Sequence, residues 1–349
     1  MVKVRSAALC AAAVSCTLAV HAIGAELNVP GEYPTIQEAI DAASAGDTIL
    51  VGPGVYDGPI DINENVQIIS TDGAETTAID GSSTSDSVVS IVQRNHFTLL
   101  KGFTIQNGDG GTPVGQDETI IVGGGVRILG GFPSIESCVF ENNHSGYGGG
   151  VHSDGAFVTI RDCVFRGNSA SANAGGALAI NGGVEFDSCV FDDNFATQDG
   201  GGVKIVKGTS MIRNCQITNN SALDGGGLFW YAEEETGPLV VMDTVITGNM
   251  ANDAGGIRAL YDRAPVILTG STVCDNANFQ IVGPFTESGD NTLCVCPADL
   301  DNDGTVAVDD VLILLTQWGS EPALGDLDFD GEVGVSDLLA VLAAYGPCE

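Results

Sequence analysis

The stretch GGVHSDGAFVTIRDCVFRGN, Gly149 to Asn168, is one statement of a phrase that the chain repeats. A double glycine followed by an apolar residue stands at Gly124-Gly125-Val126, Gly149-Gly150-Val151, Gly175-Gly176-Ala177, Gly201-Gly202-Val203, Gly226-Gly227-Leu228 and Gly255-Gly256-Ile257. Between these lies apolar-x-x-Asn, from Phe140 to Asn143, Phe165 to Asn168, Phe191 to Asn194, Ile217 to Asn220, Ile246 to Asn249 and Val273 to Asn276. Both phrases recur every 25 to 29 residues and so belong to one structural unit. Within it Val158 and Ile160 are two apart, Cys163 follows after three and Phe165 after two more. Alternation at two marks a strand with one buried face, and the step of three marks a corner. With the strand after Gly-Gly, each unit holds three short strands. A single coil cannot bury its own inner face, so the pattern predicts coils stacked about 4.8 Å apart in a parallel β-helix.

On this reading the repeated residues have mechanical roles. The glycine pairs permit positive φ and close backbone approach at a shared corner. The column from Phe140 to Val273 fills the inside, while the asparagines tolerate the left-handed conformation and bond the same residue one coil away. Cys138, Cys163, Cys189 and Cys215 recur at 25, 26 and 26 residues, either as stacked thiols or as pairs, since one coil step lies within disulfide reach.

The two phrases together resemble those of the polymorphic outer-membrane protein family, within the pectate-lyase-like right-handed β-helices. The resemblance implies a right-handed stack, and its members are surface proteins and adhesins that end in a membrane β-barrel, which this sequence lacks. At the start, Lys3, Arg5, the apolar run Ala7 to Val20 and the small residues Ala22 to Ala25 read as a secretory signal over residues 1–25. VPGEYPTIQEAIDAASAGDTILVGPGVYDGPI then reads as helix, turn and strand, with Thr35 capping a helix whose Ile36, Ala39, Ile40 and Ala43 share a face and Gly46 ending it. Such a helix covers the first coil, and the wording is similar to the opening of many secreted β-helix proteins. Asp109 to Glu118 reads as an excursion from the stack, and Ala277 to Val295 as its closure.

A second duplication follows. Ala298 to Gly319 aligns with Gly325 to Gly346 at an offset of 27, with 11 of 22 positions identical. Each half opens Asp-x-Asp-x-Asp-Gly and carries Asp at loop position 12, the clustered oxygens that a hard cation needs. Two Ca²⁺ sites are expected, one at Asp299, Asp301, Asp303, Thr305 and Asp310, the other at Asp326, Asp328, Asp330, Glu332 and Asp337. Leu312, Leu315 and Trp318 match Leu339, Leu342 and Tyr345 on the helices that follow. The paired units resemble a type I dockerin, which implies a cohesin-like partner or another envelope protein. In cellulosomal members the residues before position 12 are commonly Ser or Thr, whereas here they are Val308-Asp309 and Val335-Ser336.

The chain carries 12 basic and 46 acidic residues, a net charge of −34, and nothing basic follows Arg263. Such a field repels nucleic acid and anionic lipid, leaving neutral polysaccharide or protein as partners. No segment reaches the ~20 apolar residues of a membrane span. Eight cysteines outlast the signal, an even number in an exported chain, and the expected pairs are Cys274 with Cys294 and Cys296 with Cys348.

No outward ladder offers an acid or base in file. Val139, Val164, Val190 and Gln216 stand between Cys and Phe, and the ladder before presents Thr159, Glu185 and Met211. Asp162 and Asp187 sit at a corner, Asp192-Asp193 lies inside a structural phrase, and Lys204 and Arg258 have no acidic cluster beside them in sequence. No catalytic residue is assigned. His144 and His152 flank Tyr147 and offer a metal or acid–base pair, but two lone histidines in a corner loop read rather as solvated surface. Phe229-Trp230-Tyr231 offers aromatic faces for glycan binding, the alternative being that these rings pack into the coil.

The chain is thus expected to be an all-β right-handed parallel β-helix over 26–295, three strands per coil with an N-terminal capping helix, plus a small α-helical dockerin-like module over 296–349. The expected role is a secreted, surface-associated, non-catalytic protein for adhesion or glycan binding. The alternatives are a polysaccharide-degrading enzyme, since dockerins accompany many, and a structural envelope protein.

Overall fold

The computed structural model describes residues 24–92, 97–110, 123–233, 236–260, 264–294, 298–300, 305–320, 325–327 and 331–347. The signal expected over 1–25 therefore falls almost wholly outside the described residues, as do Cys296 and Cys348.

The described strands stack into three parallel walls. Wall one has nine strands, among them those of the six Gly-Gly phrases, such as Val126–Leu129, Val151–Asp154 and Ala177–Ile180. Wall two has eleven strands, including Phe157–Arg161 and Gly183–Asp187, and wall three has ten, including Val164–Arg166 and Val190–Asp192. Registers hold between equivalent residues, as in Val151 with Ala177 and Phe165 with Phe191. A fourth, short sheet of Asp109–Gly110, His144–Tyr147, Ser169–Asn173 and Phe195–Ala196 fills the corner between walls three and one. The expected excursion is thereby corrected at its start, because Asp109–Gly110 pairs within the stack; 111–118 lie outside the described residues.

The inside is a single apolar core. Phe140, Phe165 and Phe191 stack at 4.5 Å with interplanar angles of 8° and 10°, and Ile217, Ile246 and Val273 continue the column, all buried. The glycine and asparagine roles differ from expectation in one respect. The left-handed residue is neither the Gly pair nor the ladder Asn but the one before: Gly148, Ala174, Gly200 and Gly225 before four of the six pairs, and Asn142, Gly167, Asp193, Asn219, Gly248 and Asp275 before the ladder asparagines. The pair itself is required by closeness, since a Cβ on Gly149 would stand 2.4 Å from the Ser169 carbonyl oxygen and one on Gly150 2.6 Å from that of Gly176.

The ladder asparagines are buried and joined side chain to side chain. Nδ2 of Asn143, Asn168, Asn194, Asn220 and Asn249 each donates to Oδ1 of the next, at 3.0, 3.0, 2.9, 2.9 and 2.8 Å. The same Nδ2 also donates to a main-chain carbonyl of the preceding coil, Phe165 in the case of Asn194 at 3.0 Å. At the last rung Asn276 donates instead to Oε1 of Gln280 at 2.8 Å. The four cysteines are buried free thiols, so the stacked alternative holds, and Cys138 and Cys189 donate main-chain N–H to the sulfur one coil on at 3.4 Å. Burial pushes the Cys163 thiol well above its ordinary value.

At the N-terminal end helix α1, Ile36–Ala42, is capped by Thr35 Oγ1 accepting from Glu38 N at 3.2 Å, and buries Ile36, Ala39 and Ile40 against the first strands. Its last residue is Ala42, and Gly46 with φ +97° serves the turn beyond. At the other end the repeat phrase fails after Asn276 but the coil does not. Phe279–Val282, Phe285–Ser288 and Thr292–Leu293 add one more strand to each wall, and Cys274–Cys294 forms the expected disulfide there.

The C-terminal segment has its own small core of Ala298, Leu300, Val306, Leu314, Val333 and Val341. Helices α2, Val308–Thr316, and α3, Val335–Ala343, lie against each other, and Thr305–Val306 pairs antiparallel with Gly346–Pro347. Among the described residues no helix is long and apolar enough to cross a membrane.

Candidate functional site

A coil has an outside as well as an inside, and side chains equivalent on successive coils form rows along it. One of these rows is aromatic and exposed. Phe97, Phe132 and Phe157 each stand two residues before the paired positions Leu99, Ser134 and Thr159, so they fall in file. Their exposures are 67%, 41% and 56%, high for phenylalanine, and their rings stack at 5.4 and 6.0 Å with interplanar angles of 25° and 15°. The sequence signal is faint, because the intervals of 35 and 25 residues are uneven and the three lie outside both repeat phrases.

The row ends at a cavity. On the next coil the partner of Phe157 is Gly183, which brings no side chain, and a Cβ there would come within 2.9 Å of the ring. Phe157, Asn181, Lys207, Thr209 and Thr236, with Gly182 and Gly208, line a shallow, open cavity of about 320 Å³. Lys207 Nζ pairs with Glu233 at 2.8 Å, Asn181 Nδ2 donates to Asp154 Oδ1 at 3.0 Å, and Thr236 Oγ1 accepts from Glu233 N at 3.1 Å.

The aromatic stretch singled out in sequence behaves otherwise. Leu228 and Trp230 point inward, Trp230 is fully buried and its Nε1 donates to the Ala264 carbonyl at 2.9 Å. Phe229 is buried on the outer side beneath the Lys204 ammonium, 4.6 Å from its ring centre, and Tyr231 is half-buried. Phe229 and Trp230 therefore present no ring face to a sugar, and the expectation is corrected for those two.

Wall one also carries an ionic row that sequence reading missed. Lys204 pairs with Asp199 at 2.6 Å and Arg258 with Asp253 at 3.1 Å. Each acid lies five residues before its base, on the far side of the Gly-Gly corner, and that repeated interval was the available signal. Asp224 bridges in register with Asp199, and burial together with the Asp253 and Asp199 carboxylates raises its pKa against the pull of Arg258. His152 projects from the same wall with 2% exposure and neither ring nitrogen bonded, which corrects its reading as surface. Burial, and to a smaller degree the Arg127 guanidinium, hold it down to about 4 against Asp154. His144 is exposed and bonded to Ser169 Oγ at 2.9 Å, so the two histidines form no open pair. Asp187 is engaged by Arg213 at 2.9 Å, and Asp192 accepts from Thr218 and Asn219 at 2.8 Å each.

In the C-terminal module Asp310 and Asp337 occupy equivalent, fully buried positions at the starts of α2 and α3. Asp310 accepts from Leu300 N and Ala307 N at 2.6 and 2.7 Å, and Asp337 from Leu327 N and Gly334 N at 2.7 Å each. Asp299 is buried and Asp326 accepts from Gly331 N at 3.0 Å, while Thr305 and Glu332 are described on the same loops. Asp301, Asp303, Asp328 and Asp330 lie outside the described residues, among which no three acids, cysteines or histidines gather as a metal site. On the outside, Val308, Leu312, Leu315 and Trp318 of the first half and Val335, Leu339, Leu342 and Tyr345 of the second are all exposed.

No curated protein matches this chain. Among solved structures, pectin methylesterase PemA from Erwinia chrysanthemi is similar at 12% identity over 77% of this chain and 89% of its own, with a TM-score of 0.40. The pectin methylesterase from Aspergillus niger is similar at 14% over 77% and 86%, TM-score 0.40, and ORF18 of Geobacillus virus E2 at 13% over 77% and 61%, TM-score 0.42. The sequence model of the right handed beta helix region matches residues 87–273, more than half of the chain. With its stacked parallel walls and repeat phrases, the chain belongs to the right-handed β-helix family.

Proposed function

We propose that this is an exported, surface-associated β-helix protein that binds neutral polysaccharide without altering it and is attached through its C-terminal module. The observation that carries this reading is the exposed row Phe97, Phe132 and Phe157. An apolar strip kept in water marks a contact surface, and aromatic rings suit the C–H faces of sugars. A net charge of −34 disfavours polyanionic chains. The module supports the attachment. Residues 296–349 hold twelve acidic and no basic residues, so the buried Asp310 and Asp337 fit a cation supplied from solution, and Ca²⁺ suits an all-oxygen donor set. The ten oxygen donors named from the sequence would hold two such ions, and the doubled apolar face on α2 and α3 would meet the envelope partner, cohesin-like or otherwise.

Retention of the purified protein on insoluble neutral polysaccharides tests the proposal. Retention that falls at least tenfold in a Phe97→Ala/Phe132→Ala/Phe157→Ala variant, with no reducing ends or unsaturated products released, is the expected result. Equal retention of the variant would overturn it.

One observation favours a second reading, a glycoside hydrolase. Asp224, with a raised pKa, neighbours the Asp199 and Asp253 carboxylates, and hydrolysis uses one protonated and one ionised carboxyl about 5 to 9.5 Å apart. Reducing ends released by the wild type and lost in Asp224→Asn would establish it in place of the first.

A further inference from the structure

We infer that the cavity beside Phe157 is a subsite for a single neutral sugar ring, a hexopyranose unit, which rests on the reading of the phenylalanine row as glycan-binding. One face of Phe157 stacks on Phe132, and the ring also lines the cavity, where Gly182 and Gly208 of the following coils bring no side chain. A free aromatic face is electron-rich and takes the slightly positive C–H face of a pyranose. Its rim supplies what the ring hydroxyls need. Asn181 spends one of its two amide hydrogens on Asp154 and keeps the other to donate and its carbonyl to accept. Thr236 accepts from Glu233 N and keeps its O–H to donate, while Thr209 is exposed on the opposite side. Lys207 is a further donor whose charge is balanced by Glu233.

Size and charge narrow the ligand. At about 320 Å³ the cavity is at the small end of the ~300–1,000 Å³ usual for ligand sites, which suits one ring rather than several. With the lysine neutralised, nothing on the rim among the described residues compensates a uronate carboxylate in a chain of charge −34.

Saturation-transfer NMR on the intact protein tests this with methyl β-D-glucopyranoside, methyl β-D-galactopyranoside and sodium galacturonate. At least one neutral glycoside is expected to receive saturation, at least tenfold less with Phe157→Ala or with Thr209→Arg, whose side chain would occupy the cavity, and unchanged with Val55→Ala, an exposed residue outside the row and the cavity. Phe157 and Thr209 are exposed, so both variants should fold, and an unchanged circular dichroism melting curve verifies it. No transfer from either glycoside, transfer indifferent to Phe157→Ala, or tighter binding of galacturonate would each overturn the inference. Polymer retention without a glycoside signal sinks the cavity and leaves the row; a glycoside signal without polymer retention does the reverse.

Discussion

The β-helix and the C-terminal module hold their shape by different economies of contact. In the first, one core runs from Leu27 to Ile281, and each coil repeats the bonds of its neighbours. In the second, six buried apolar residues among those described support two helices whose other faces are in water, beside the buried carboxylates of Asp299, Asp310 and Asp337. A segment of roughly fifty residues with so little core is below the size at which apolar burial alone is usually enough. The contrast teaches that the stack is redundant along its length whereas the module depends on a few groups and, on the proposed reading, on ions.

The largest way to break the comparison is chelation. EDTA is expected to melt α2 and α3 while leaving the β signal in far-ultraviolet circular dichroism unchanged, because on the proposed reading metal binding would supply the module's folding energy. Calcium uptake of two ions per chain in isothermal titration would accompany recovery, and absence of uptake would mean that the module stands on its core alone.

Next comes the asparagine ladder. Asn194→Ala removes a carbonyl that serves Asn168 and an amide that serves Asn220 and Phe165. Each buried group left unpaired costs about 1–3 kcal/mol, so a loss of about 4 kcal/mol is expected in denaturant titration of the β signal. A loss under about 1 kcal/mol would show that the ladder is dispensable.

Acid gives a smaller effect. Since His152 falls from 6.5 to about 4 on folding, the unfolded chain binds the extra proton between those values, and stability drops as pH falls through that window. At 1.36 kcal/mol per pKa unit the loss by pH 4 reaches about 3 kcal/mol, and His152→Leu should remove that part of the slope. The smallest effect is chemical. Cys138, Cys163, Cys189 and Cys215 should resist a thiol reagent in the folded protein and react when the coil is unfolded, and fast reaction of any one would mean that the stack opens locally.

What the sequence discloses follows from periodicity. The Phe column, the Asn ladder, the thiol column and the three walls all repeat at one interval, so each was legible. The Gly-Gly pairs were legible as corners, but their reason was not, because closeness to a neighbouring coil is a property of the stack. Phe229-Trp230-Tyr231 misled because three consecutive aromatics alternate inward and outward whatever their chemistry, and the outward Phe229 lies under Lys204. Phe97, Phe132 and Phe157 were overlooked because an insertion between coils breaks their interval. The final coil was missed since its strands lack both phrases, although backbone pairing continues through it.

Gln280 has a consequence for the length of the molecule. Every rung of the asparagine ladder passes an unmet acceptor requirement to the next, and such a chain of obligations stops only where a residue of another kind answers it from within the same turn. Gln280 does so, which makes it a terminator. Whole periods can then be spliced in or out upstream without redesigning the end, so the span of the outer surface is free to change in whole-coil increments.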